Sequence, residues 1–263
     1  LIAENVYQDI IRAVDLNSRD LIMEVGPGLG TLTTGLLATS QKVISIELDR
    51  KFLPVLNKIA AVSPNLKIIN QDILKIKNEE IIKLLTAKEI NDGIYDYKVI
   101  ANLPYNISSF FLRKFLAYPP RPKLLILLLQ AELAERLVAK PGQMSLLSVM
   151  GQFYGEPIID KLIAKDCFWP QPQVDSALVK IKTINYYKKY QLAENFDETG
   201  FFKLVKVGFA ARRKKLKNNL QNVYQNQPGE IDQLFKKLDI KESIRAQELS
   251  IDRWIELFLN LTL

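Results

Sequence analysis

The 263-residue chain contains no histidine and a single cysteine, Cys167. Without histidine there is no imidazole base, no Ser–His or Cys–His nucleophile pair and no histidine metal ligand. One thiol forms neither an internal disulfide nor a thiolate cage, so no metal centre is expected. Long apolar runs are also missing: the longest, Leu124 to Leu129, falls far short of the roughly 18 residues that span a bilayer. Leu1 to Leu16 mixes apolar side chains with Glu4, Asp9, Arg12 and Asp15, which does not suit a signal peptide, and a cytoplasmic protein is expected. The chain opens on Leu1 rather than Met, so a further N-terminal segment is expected ahead of it.

What is there has an ordinary globular balance, 48% hydrophobic and 25% charged, which argues against disorder. Thirty-six Lys and Arg against 29 Asp and Glu give a net charge of +7. The excess is local: Lys203, Lys206, Arg212, Arg213, Lys214, Lys215 and Lys217 follow one another with no acid between them. A charge run is commonly a solvated helix face. Four consecutive cations, Arg212 to Lys215, repel one another, and phosphates would relieve that repulsion, so this run is expected to bind a polyanion.

Short apolar runs alternate with helical patterns over the first two thirds. Strands are expected at Leu21 to Val25, Val43 to Ile46, Leu66 to Ile69, Tyr97 to Ala101 and Leu124 to Leu129. Helices are expected at Thr31 to Ala38, Phe52 to Ala61, part of Ile73 to Ala87, Ser108 to Leu116, Ala131 to Val138 and Leu146 to Phe153. Strands Ile158 to Ala164 and Ala177 to Lys182, separated by a Pro-rich stretch, suit a hairpin at the sheet edge. Such alternation implies an α/β, doubly wound parallel sheet, with ligands at the carboxyl ends of the strands. Tyr186 to Gly200 reads as a polar linker. Phe201 to Leu220, Glu230 to Leu238, Ser243 to Gln247 and Ile251 to Leu259 read as helices. The expected organisation is a catalytic domain over 1–185 and a small all-α domain over 186–263.

Chemistry gathers at the expected strand ends. Glu24-Val25-Gly26-Pro27-Gly28-Leu29-Gly30 follows the first strand, where glycines allow a tight turn and close approach to a ligand. Many βα turns contain glycine for structural reasons alone. Here Glu47 closes the second strand, able to accept from both hydroxyls of a ribose, and Asp72 follows the third. A dinucleotide fingerprint would place its last glycine at Thr31, so the spacing favours S-adenosylmethionine over NAD. At the fourth strand end stands Asn102-Leu103-Pro104-Tyr105. An adenine amine is a poor nucleophile because its lone pair is delocalised into the ring. Methylating it calls for acceptors on its protons: the Asn102 side chain and the Leu103 carbonyl, which Pro104 holds in an extended direction. Tyr105 offers a face for the base to stack on. No prior deprotonation is required, which fits a chain without histidine.

Glu24 to Gly30, Glu47-Leu48-Asp49-Arg50, Asn102 to Ser108, Phe168 through Asp175-Ser176-Ala177, and Phe209 with Arg212-Arg213-Lys214 together resemble the KsgA-type small-subunit rRNA adenine dimethyltransferases. The resemblance covers essentially the whole chain. It implies a Rossmann-like methyltransferase fold and an S-adenosylmethionine-dependent enzyme. Its substrate would be two adjacent adenines in a hairpin near the 3′ end of 16S rRNA, dimethylated late in small-subunit assembly. By the same resemblance Leu1, Gly26, Gly28, Glu47, Asp72 and Asn102 bind the cofactor, while Leu103, Pro104, Tyr105 and Phe168 hold the flipped adenine. The family normally carries a Gln-Asn or Gln-His followed by Phe ahead of the position of Leu1, and a longer loop around Pro141 to Ser145. A monomer is expected. Three alternatives stay open: a large-subunit adenine methyltransferase of the erythromycin-resistance type, an assembly factor that needs no turnover, and a mitochondrial transcription-factor relative.

Overall fold

The computed structural model describes residues 3–86, 93–224 and 229–261, apart from the side chain of Tyr105. Its apolar runs become β1 (Leu21–Val25), β2 (Lys42–Glu47), β3 (Leu66–Asn70), β4 (Ile94–Asn102), β5 (Arg121–Gln130), β6 (Gly155–Ile163) and β7 (Ser176–Thr183). They form one sheet in the order β3-β2-β1-β4-β5-β7-β6. The first five strands pair in parallel, as the alternating pattern requires. β7 runs antiparallel to both β5 and β6, so the sheet is mixed, and the expected hairpin forms its edge. The Pro-rich segment between β6 and β7 cannot supply the helical crossover that a parallel pair needs.

Around this sheet lie α1 (Glu4–Val14), α2 (Thr31–Leu37), α3 (Leu53–Ala61), α4 (Asn78–Leu85), α5 (Ser108–Ala117) and the start of α6 (Ala131–Leu137). The core is continuous through Ile22, Val43, Ile100, Ile126 and Leu178. No strand or helix was expected before Leu21, yet α1 buries Val6, Ile10, Ala13 and Val14 against that core. Its carboxyl end is held by buried Lys98 of β4. The Lys98 ammonium donates to the Val14 and Asp15 carbonyls (2.9 and 2.7 Å) and to the Asp20 carboxylate (2.7 Å). β1 connects onward to β2 on one side and pairs with β4 on the other, so the carboxyl ends of β1 and β4 flank the point where strand order reverses. Open α/β sheets bind ligands in that crevice.

Packing divides the chain differently from a boundary at 185/186. One unit runs to Glu135 and resumes from Tyr154 to Ile184; the other takes Arg136–Phe153 and the chain from Asn185 onward. The second unit contains most of α7 (Leu146–Tyr154), then α8 (Tyr186–Lys189), α9 (Glu198–Gly208), α10 (Leu216–Tyr224), α11 (Glu230–Lys237) and α12 (Ile251–Asn260). The expected linker is packed structure. Tyr186 and Phe196 are buried, and the Phe153 ring lies 4.7 Å from Tyr186 and 5.1 Å from Phe201. Aromatic residues scattered among polar ones concealed this cluster. The single helix expected over 201–220 is two, separated by a turn. A Cβ on Gly208 would lie 2.3 Å from the Trp254 ring, so only glycine lets these elements meet. Of the helix expected at Ser243 to Gln247, only a short 3-10 turn, Ala246–Glu248, forms.

Candidate active site

Three glycines shape the loop after β1, each for its own reason. All have left-handed backbones, with φ of 74°, 56° and 78° at Gly26, Gly28 and Gly30. A Cβ on Gly26 would stand 3.0 Å from the Asn102 carbonyl oxygen, so the first strand end and the fourth touch here. A Cβ on Gly30 would collide with Ile59 at 2.4 Å, so this residue lets the loop pack on α3. Gly28 has open space, and its backbone N–H donates to Glu47 Oε2 at 3.1 Å. The other Glu47 oxygen accepts from Asp49 N–H at 2.8 Å. Each carboxylate oxygen keeps a further lone pair for a hydroxyl donor.

Below the loop, Glu24 of β1 is fully buried. Its Oε2 accepts from the Thr33 and Ser45 hydroxyls (2.7 and 2.6 Å), while Oε1 has no partner among the described residues. Burial pushes its pKa up to about 7, against the two hydroxyls and with help from the Glu47 charge. Asp72 is half-buried just beyond β3, its Oδ1 accepting from Leu74 N–H at 2.9 Å in a tight turn. Asn70, which the sequence did not single out, donates to the Glu47 carbonyl at 2.7 Å and ties the ends of β2 and β3 together. The Glu47 carboxylate, with lone pairs to spare, and the close-approach glycine Gly26 fit a nucleoside cofactor with hydroxyl and amino donors.

Asn102 ends β4, opposite Leu128 of β5, and is exposed. The Leu103 side chain is buried and anchors the turn. The Pro104 carbonyl accepts from Ile107 N–H and the Ser108 hydroxyl (3.2 and 3.4 Å). Among the described residues, neither the Leu103 carbonyl nor the Asn102 side chain makes a hydrogen bond. A cleft of about 190 Å³ brings together Asn102, Leu103, Pro104, Phe168, Trp169, Pro170 and Pro172. Phe168 is half-buried: it packs in part on the hydrophobic core and also lines the cleft. Asp175 pins this loop, its side chain accepting from Lys165 N–H and its carbonyl from Ala131 N–H, both at 3.0 Å. No described contact joins Asp72 to the cleft. Leu1 and the Tyr105 side chain lie outside the described residues.

A model of the ribosomal RNA adenine dimethylase family matches residues 1–263. The chain belongs to that family. Relatives named ribosomal RNA small subunit methyltransferase A include one from Dehalococcoides mccartyi (strain CBDB1), 38% identical over 99% of this chain and 85% of its own length. Another, from Ligilactobacillus salivarius, is 36% identical over 96% of this chain and 84% of its own length. A dimethyladenosine transferase from Plasmodium falciparum shares the fold, with a TM-score of 0.80, 24% identity, and coverage of 98% of this chain and 96% of its own. The 23S rRNA methyltransferase ErmE shares it at a TM-score of 0.73, with 19% identity over 99% and 98% of the two chains.

In this adenine dimethylase the run Arg212 to Lys215 is not a helix face. It occupies the exposed turn between α9 and α10. Buried Asn219 fixes the turn by donating to the Gly208 and Ala211 carbonyls (2.6 and 3.2 Å). Lys217, from the same run, is engaged instead with Asp232 and Glu242 (2.6 and 3.4 Å).

Proposed function

We propose that the chain uses S-adenosylmethionine to dimethylate the exocyclic amines of two adjacent adenines in the 3′-terminal hairpin of 16S rRNA. In this reading it acts as a cytoplasmic monomer on the maturing small subunit. The observation that carries the proposal is the meeting of Gly26 and Asn102 across β1 and β4, at the mouth of a cleft walled by Phe168. When bound, S-adenosylmethionine supplies a methyl already activated on a sulfonium. Gly26, Gly28, Glu47, Asp72 and Leu1 would hold it, with Glu47 at the ribose and Asp72 at the adenine.

The chain's own task is to present the target amine. The Asn102 side-chain oxygen and the Leu103 carbonyl would accept from its two N–H groups in the first transfer and from the one that remains in the second, drawing the nitrogen lone pair out of the ring toward the incoming carbon. Both groups lack protein partners among the described residues and are preorganised by buried Leu103 and by Pro104, as acceptors at a developing positive charge must be. The amine proton becomes acidic only as the new C–N bond forms, so water can take it. Phe168 and Tyr105 would stack on the everted base. Arg212, Arg213, Lys214 and Lys215 would contact RNA phosphates.

Asn102→Ala tests the assignment. Methyl transfer to under-methylated small subunits should fall about 10²–10³-fold, the scale for removing one preorganised polar group, with RNA binding kept. Transfer within threefold of wild type would remove Asn102 from the chemistry.

A further inference from the structure

Trp169 is 73% exposed, yet it lines the same cleft as Asn102 and Pro104. The backbone at Phe168 is extended (φ −122°, ψ 147°), and extended backbone sends successive side chains to opposite sides. Phe168 therefore turns toward the core and Trp169 toward solvent at the cleft rim. Pro170 and Pro172 follow, each with a fixed φ, so the rim is stiff before any ligand arrives. A rigid, outward-facing indole beside a nucleobase cleft is suited to base stacking, which tolerates any base because each has a π-face.

Everting one adenine breaks its stacking with its neighbour. We propose that the Trp169 indole stacks on the base adjoining the everted adenine, taking the place of the departed ring and fixing which nucleotide enters the cleft. The proposal rests on the assignment of the cleft to an everted adenine.

The chain has two tryptophans, and the other, Trp254, is fully buried beside Phe209, so the part of the fluorescence change on RNA binding that Trp169→Phe removes reports Trp169. Small subunits would be reconstituted on 16S rRNA, either intact or abasic at the nucleotide beside the target adenine. For wild type, the abasic substrate should raise KM by about 5- to 150-fold, corresponding to about 1–3 kcal/mol of stacking, and the intact one should quench the indole. Trp169→Ala should show the raised KM on the intact substrate, with kcat little changed, and no further response to the abasic site. Trp169→Phe should recover most of the affinity. If Trp169→Ala discriminates intact from abasic RNA as wild type does, or the intact substrate leaves the indole emission unchanged while methylation proceeds, the platform is refuted and the cleft assignment stands. A wild-type enzyme that transfers no methyl to the intact substrate refutes both.

Discussion

Glu24 carries a proton that an exposed carboxyl would lose. It is sealed beneath the glycine loop with one oxygen held by Thr33 and Ser45 and the other without a partner among the described residues, and its pKa lies near 7. Because the folded state binds this proton more tightly than the unfolded chain, the contribution is fully present below the ordinary carboxyl range. It is lost as pH rises from about 4.5 to 7. The span corresponds to about 3 kcal/mol on the usual conversion. Glu24→Gln, which keeps an acceptor for both hydroxyls, should abolish this part of the pH dependence. In denaturant titrations the variant should gain on wild type as pH rises from 5 to 8; parallel curves would show that Glu24 ionises freely. Sequence alone placed Glu24 in the loop motif but not its partners, since Thr33 and Ser45 are brought to it by the fold. Trp169 lies within the Phe168 to Ala177 stretch without being singled out by it, because the exposure of its ring depends on loop geometry.

The loop between β1 and α2 separates two roles of glycine within one element. Gly28→Ala meets only a left-handed backbone and should cost about 1–3 kcal/mol of stability and raise KM for S-adenosylmethionine, with kcat at saturating cofactor retained by the folded fraction. Gly26→Ala adds a methyl against the Asn102 carbonyl and should lower kcat as well. Equal kcat in the two variants would mean that this close approach does not position Asn102. Elements buried on both faces were legible, since Leu124 to Leu129 must become a central strand. The carboxyl ends of β1 to β5 were legible too, each to within one residue. Helix α1 was missed although Val6, Ile10, Ala13 and Val14 recur at helical spacing: Asp9 interrupts that stripe on the buried side, held by Arg12 one turn on and by Lys161 at 2.6 Å from far along the chain. The aromatic cluster around Phe153 was missed because its members are distant in sequence.

Across the whole molecule the +7 charge matters through its placement. The pinned turn from Arg212 to Lys215 points four cations into solvent. Neutralising Arg212, Arg213 and Lys215 together should weaken RNA binding at all sequences. The slope of log K against log salt should flatten by about 0.7 to 0.9 for each phosphate that is no longer neutralised. A slope equal to that of wild type would leave the turn a solvated surface. The function itself is tested most directly by incubating the protein with labelled S-adenosylmethionine and under-methylated small subunits, then digesting the RNA and resolving its nucleosides. The expected product is N6,N6-dimethyladenosine at two adjacent positions near the 3′ end of 16S rRNA; label confined to 23S rRNA in a parallel incubation of large subunits, or no methylated adenosine at all, would contradict the account.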